Sequence, residues 1–135
     1  MLRITVGSLS FRAQLEESLA PRSCVALRAL LPLHGNLLQA RWSGEAAWVP
    51  LGDLETGLGV ENATSYPVPG QLLLYPGGYS ETEILFAYGP TCFASKLGQL
   101  AGNHVATIVE GGEALPELGR RVVWEGVQAI TIEAA

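Results

Sequence analysis

The chain has 135 residues, a hydrophobic fraction of 48% and a formal net charge of −5, which suits one globular domain over residues 1–135. It carries one lysine, Lys96, and one adjacent basic pair, Arg120-Arg121, so neither nucleic acid nor a membrane surface is an expected partner. No apolar run approaches the ~20 residues of a membrane span.

Met1 to Ile4 passes directly into an alternating pattern, so no secretory leader is expected. Cys24 and Cys92 are the two cysteines, which fits a reducing cytoplasm better than a disulfide framework. Leu2, Ile4 and Val6 alternate with Arg3 and Thr5, and Leu9, Phe11, Ala13 and Leu15 alternate with Ser10, Arg12 and Gln14. Gly7-Ser8 between them predicts a tight two-residue hairpin. From Pro21 to Leu31 the period changes. Cys24, Leu27 and Leu31 recur at helical spacing, Pro21 suits a first turn, and Pro32 and Gly35 end the run. This is the one main helix expected.

Leu38, Ala40 and Trp42 alternate with Gln39 and Arg41, Ser43-Gly44 signals a turn, and Glu45 to Val49 returns as a strand. A two-residue turn there sets Trp42 opposite Glu45 and Arg41 opposite Ala46. Leu51 to Pro69 shows no period and reads either as a functional loop or as a passive crossover. Leu72–Tyr75 and Ile84–Tyr88 are continuous apolar runs around the turn-rich Pro76–Ser80, the pattern of fully buried strands. Residues 91–102 are irregular. Asn103–Val109 is a strand, and Gly111-Gly112 turns the chain. Glu113–Leu118 is a short helical turn stopped by Gly119, Val122–Trp124 a short strand, and Val127–Glu133 the last strand. About eight strands with one clear helix predict a closed antiparallel barrel or a sandwich.

Gly102-Asn103-His104-Val105-Ala106-Thr107-Ile108-Val109-Glu110-Gly111 resembles the cyclophilin segment that runs glycine, variable, histidine, valine, a few residues, valine, variable, glycine. A short helix and an Ile/Thr-rich final strand follow in cyclophilins, and Glu113–Leu118 and Ala129-Ile130-Thr131-Ile132 stand in that order here. Trp42-Ser43-Gly44-Glu45, Ser65-Tyr66-Pro67-Val68-Pro69-Gly70 and Ser80-Glu81-Thr82-Glu83 are similar to parts of a smaller bacterial cyclophilin-like family of unknown function. The resemblance implies an all-β, closed antiparallel cyclophilin-like barrel, and it sets His104 at the position of an active-site histidine. The family's tryptophan five residues earlier is Gln99 here. Its arginine, with the Phe-x-x-Gln-Gly-Gly run, has no counterpart. Prolyl isomerisation faces a barrier of about 18–20 kcal/mol, and without that arginine no isomerase activity is expected.

The ligand-binding residues expected are His104, Glu83, Tyr66 and Asn62. His104 is also the candidate catalytic base, since histidine titrates near neutral pH; its alternative is a structural histidine at a strand end. Glu81 and Glu83 face a ligand cation or amide, or are two solvated loop carboxylates. Asn62, Tyr66, Tyr75, Tyr79 and Tyr88 supply the aromatic walls and polar groups of a pocket, or pack as core and rim. Tyr66-Pro67 is a candidate cis bond. Cys92 with His104 matches no nucleophile signature. No metal site or cofactor is expected, because the histidines are far apart and the glycines form no phosphate-binding fingerprint. Trp42, Trp48 and Trp124 are expected in the barrel or at a subunit contact. The functional expectation is a cytoplasmic small-molecule-binding domain without isomerase activity. Its alternatives are an enzyme on the same pocket (a weak prolyl isomerase, or small-amide chemistry with His104 as base) and a structural homo-oligomer subunit.

Overall fold

In a computed structural model that describes residues 1–135, the N-terminal alternation forms β1 (Leu2–Val6) and β2 (Leu9–Leu15). Then follow α1 (Pro21–Ala29), β3 (Leu33–Gln39), β4 (Gly44–Pro50), β5 (Ala63–Thr64), β6 (Gln71–Tyr75), β7 (Glu83–Thr91), β8 (Ala94–Ser95), β9 (Gly98–Gln99) and β10 (Gly102–Glu110). A 3-10 turn (Gly112–Ala114) leads into α2 (Leu115–Trp124), and β11 (Gln128–Ala134) ends the chain. The strands pair in the order β2-β1-β11-β3-β4-β7-β6-β10, and β10 pairs back onto β2. Eight antiparallel strands therefore close into the expected barrel, whose closure removes the exposed edges of an open sheet. β5 extends the end of β10, and β8 and β9 form a separate small hairpin.

The barrel is filled from the period-2 faces of its strands. Ile4, Val6, Phe11, Leu72, Leu74, Ile84 and Phe86 point inward and are fully buried. Phe11 and Phe86 meet edge to face at 5.7 Å. Cys24 and Leu27 of α1, with Leu115, Leu118 and Val122 of α2, join the same interior. On the opposite face of β4, β6 and β7, a second cluster of Ala46, Leu73, Tyr75 and Leu85 is buried under Phe93 and Leu100. Tyr75 and Phe93 meet edge to face at 5.6 Å. Cover on both faces explains the continuous apolar runs of β6 and β7, since neither face needs polar residues.

Several local expectations are corrected. Val122–Trp124 is helix, not strand, because Leu115, Leu118 and Val122 fall on one helical face and bury together. Gly119 does not stop this helix. It is the point of closest approach to the sheet, where a Cβ would lie 2.3 Å from the Tyr88 ring. The ten residues of α2 thus match the nine of α1. Leu38 pairs with Trp48 and Gln39 with Ala47, a register one residue from the expected one. Ser43 is turned inward, where its hydroxyl donates to Ala94 O at 3.1 Å, which widens the turn. The cis bond is Leu31-Pro32, not Tyr66-Pro67. None of the tryptophans fills the barrel: Trp48 packs on the outer cluster, and Trp42 and Trp124 are exposed. No helix is long and apolar enough to cross a membrane.

Candidate functional site

Glu83 opens β7, opposite Pro50 on one side and Tyr75 on the other. Its neighbour Thr82 holds the start of the strand, donating its hydroxyl to Leu54 O at 2.7 Å and its N–H to Gly52 O at 3.0 Å. By the strand's period, Glu83 faces outward with Leu85, toward the second cluster rather than the barrel interior. It is only 6% exposed, so it is not a solvated loop carboxylate; Glu81, two residues before it, is exposed. The Glu83 carboxyl has no hydrogen-bonding or ion-pair partner in the protein, and its oxygens open onto a cleft. Burial, with the nearby charge of Glu81, pushes its pKa up to about 8, because removal from water penalises the charged form.

The cleft has a volume of about 380 Å³, within the usual range for small-molecule sites. Trp48 of β4 and Trp42 of the β3–β4 turn give it aromatic walls, Ser80 lies on the loop before β7, and Lys96 comes from the tip of the β8–β9 hairpin. Arg41 stands at its rim with the guanidinium 5.1 Å from the Trp42 ring centre, a cation–π contact. Two pins hold these walls. The Ser43 hydroxyl accepts the Ala94 N–H at 3.0 Å, fixing the hairpin to the β3–β4 turn. The buried Tyr75 hydroxyl accepts the N–H groups of Tyr79 and Ser80 at 3.1 and 3.3 Å, fixing the loop that carries Ser80.

The four residues expected to bind a ligand fall in three places. Glu83 lies in the cleft. Tyr66 is 64% exposed on the segment before β6. His104 and Asn62 lie together, outside the cleft: the His104 N–H donates to Asn62 O at 3.0 Å, and the Asn62 amide donates to His104 O at 3.1 Å. Asn62 adopts a positive φ of 52°, which asparagine tolerates better than most residues. The Thr107 hydroxyl donates to Glu16 at 2.7 Å, so its contact with His104 Nε2 at 2.8 Å is accepted from the ring N–H. The expected alternation in this strand is broken. A bulge between His104 and Ala106 turns both Val105 and Ala106 into the core.

Next to His104 lies a polar network that pins the long irregular segment. α1 lacks a side-chain cap of its own, and Glu61 supplies one from 38 residues away. It accepts the Ser23 N–H and hydroxyl, each at 2.7 Å, and the Arg22 N–H at 3.2 Å. Burial pushes the Glu61 carboxyl up, but these hydrogen bonds outweigh it and hold the pKa below the usual carboxylate value. The buried Asn103 amide donates to Ser23 Oγ and Gly59 O and accepts the Glu61 N–H at 3.0 Å.

Trp42, Trp48, Arg41 and Lys96 were not among the expected ligand-binding residues. The tryptophans were visible as large apolar residues flanking one turn. Arg41 adjoins Trp42 in sequence, but nothing local marked Lys96 as their neighbour.

No curated protein matches the chain. Among solved structures it is similar to McbB in complex with tryptophan, at 20% identity and a TM-score of 0.77, over 98% of this chain. The chain spans 44% of the length of McbB. It is also similar to the hypothetical protein AF2241 from Archaeoglobus fulgidus, at 20% identity and a TM-score of 0.63, over 99% of this chain and 93% of that one. At that identity the likeness is one of fold. A family match runs from residue 2 to residue 134, and by it the chain belongs to the family described as "Protein of unknown function (DUF3830)".

Proposed function

We propose that this chain is a cyclophilin-like domain that binds a small organic molecule and has no prolyl isomerase activity. The carrying observation is the Glu83 carboxyl, nine-tenths buried and without a protein partner, at a cleft walled by Trp42 and Trp48. Its oxygens open onto the cleft and are bonded by no protein group, so a ligand seated there supplies a hydrogen bond that the protein does not. McbB, a structural neighbour, was solved with tryptophan, which supports a small molecule as the occupant. The cyclophilin likeness is carried by the barrel and by the run from Gly102 to Glu110 that forms β10.

Glu83 is the centre of this reading, and His104, Asn62 and Tyr66 are secondary. Nε2 of His104 is engaged by Thr107, and Asn62 ties two backbone segments together. A thermal-shift screen of small organic acids, amides and amines, tryptophan included, tests the reading. A binding compound raises the melting temperature by the linkage relation, equivalent to about 2.7 kcal/mol at a hundredfold excess over Kd. Trp48→Ala removes that shift, and His104→Ala leaves it in place. Loss of the shift in His104→Ala alone moves the site to the histidine. Robust turnover of a prolyl peptide overturns the non-isomerase reading.

A further inference from the structure

The binding reading leaves open what kind of molecule the cleft accepts, and the charges around Glu83 narrow it. The groups facing Glu83 come from several elements. Tyr75 of β6 is paired with it in register, but the tyrosine hydroxyl is already engaged by the Tyr79 and Ser80 N–H groups. Pro50 and Trp48 of β4 are uncharged. Arg41 and Lys96 supply two positive charges to the rim, from the β3–β4 turn and the β8–β9 hairpin. Glu81 is the nearby carboxylate, exposed on the loop.

We propose that the cleft selects a small planar organic acid bound as its anion. The ring lies along Trp42 and Trp48, the Glu83 carboxyl donates a hydrogen bond to the bound carboxylate, and Arg41 and Lys96 balance its charge. This rests on the cleft being a binding site. Glu83, both tryptophans, Arg41 and Lys96 all line one space of about 380 Å³. A hydrogen bond from an acid to a carboxylate is charge-assisted and short, about twice as strong as a neutral one. At neutral pH Glu83 keeps its proton because it is buried, with the Glu81 charge adding to the effect, so it is a donor and adds no negative charge. A ligand cation meets the opposite situation: two positive charges at the rim and an un-ionised acid below.

Benzoate, benzamide and benzylamine test this, because they share a ring and differ in charge. Titrations of the intact chain are followed by NMR at the indole N–H groups of Trp42 and Trp48. Benzoate is expected to bind tightest at about pH 7 and to lose about tenfold in affinity for each pH unit above about 8, as Glu83 ionises. Glu83→Gln keeps an uncharged donor, so benzoate binding persists and this pH dependence disappears. Arg41→Ala with Lys96→Ala weakens benzoate several-fold and benzamide far less; equal loss for the two overturns the charge assignment. Tightest binding by benzylamine, strengthening across about pH 8, overturns the charge assignment while upholding the binding site. An unaltered pH dependence in Glu83→Gln also overturns it. If none of the three probes moves either indole signal and the wider screen gives no thermal shift, the binding site itself is refuted.

Discussion

Glu83 is a carboxyl that no protein group bonds, and it is almost entirely removed from water. Its pKa in the folded protein, about 8, lies above the ordinary value of 4.5. Below about pH 4 both folded and unfolded chains carry the proton, and the ionisation cost vanishes. Between the two pKa values the unfolded chain ionises while the folded one keeps its proton, so stability falls as pH rises and levels off above about 8. Glu83→Gln removes this slope. Its stability advantage is expected to grow from about zero near pH 4 to about 3 kcal/mol at pH 7, since each pH unit in that interval costs the wild-type fold about 1.4 kcal/mol. Urea denaturation of the two proteins at both pH values measures it. A stabilising substitution at a site residue is the usual mark of a position kept for function rather than stability.

At the scale of elements, the long segment between β4 and β6 is held at the α1 end by one side chain. Glu61 satisfies N–H groups at the start of α1 that no local residue caps, and a negative charge there also complements the helix dipole. The folded pKa of Glu61 is depressed, so its contribution is present above the ordinary carboxylate value and fades as pH falls through the lowered one. Glu61→Gln is expected to speed hydrogen exchange of the Arg22 and Ser23 amides and to remove that part of the acid dependence. Exchange measured by NMR at neutral pH checks it, with amides in β6 as the unchanged control. On α2, Glu117 pairs with the exposed Arg120 and with the half-buried Arg121; the exposed pair contributes little to stability.

For the whole molecule, the barrel has two hydrophobic clusters separated by the sheet of β4, β6 and β7. The inner one closes the barrel, and the outer one fixes the segment that walls the cleft. Phe93 is fully buried in the outer cluster, while Ala94, Ser95 and Lys96 immediately after it line the cleft. Phe93→Ala is expected to cost about 3–5 kcal/mol and to weaken any ligand of the cleft. Because both clusters share the same strands, the variant should still unfold in one transition at a lower urea midpoint. A separate early transition seen by Trp48 fluorescence would show instead that the outer layer folds independently.

The strand pattern was legible in the sequence as that of a barrel or sandwich, and the cyclophilin likeness favoured the barrel. Period-2 alternation in β1, β2 and β11, continuous apolar runs in β6 and β7, and turn residues at Gly7-Ser8 and Gly111-Gly112 are local signals that survive any tertiary arrangement. The sequence also marked Glu83, His104, Asn62 and Tyr66, but as separate points. Where short-range signals compete, the tertiary structure decided. Val122 became helical because its helical neighbours Leu115 and Leu118 bury with it. Trp42 left its strand because Ser43 bonds to Ala94, which is distant in sequence. Only the folded sheet sets Glu83 near Trp48 and brings Arg41 and Lys96 to one rim, from segments far apart in the chain. The burial that removes Glu83 from water, and so keeps its proton, is a property of that packing and of no local motif.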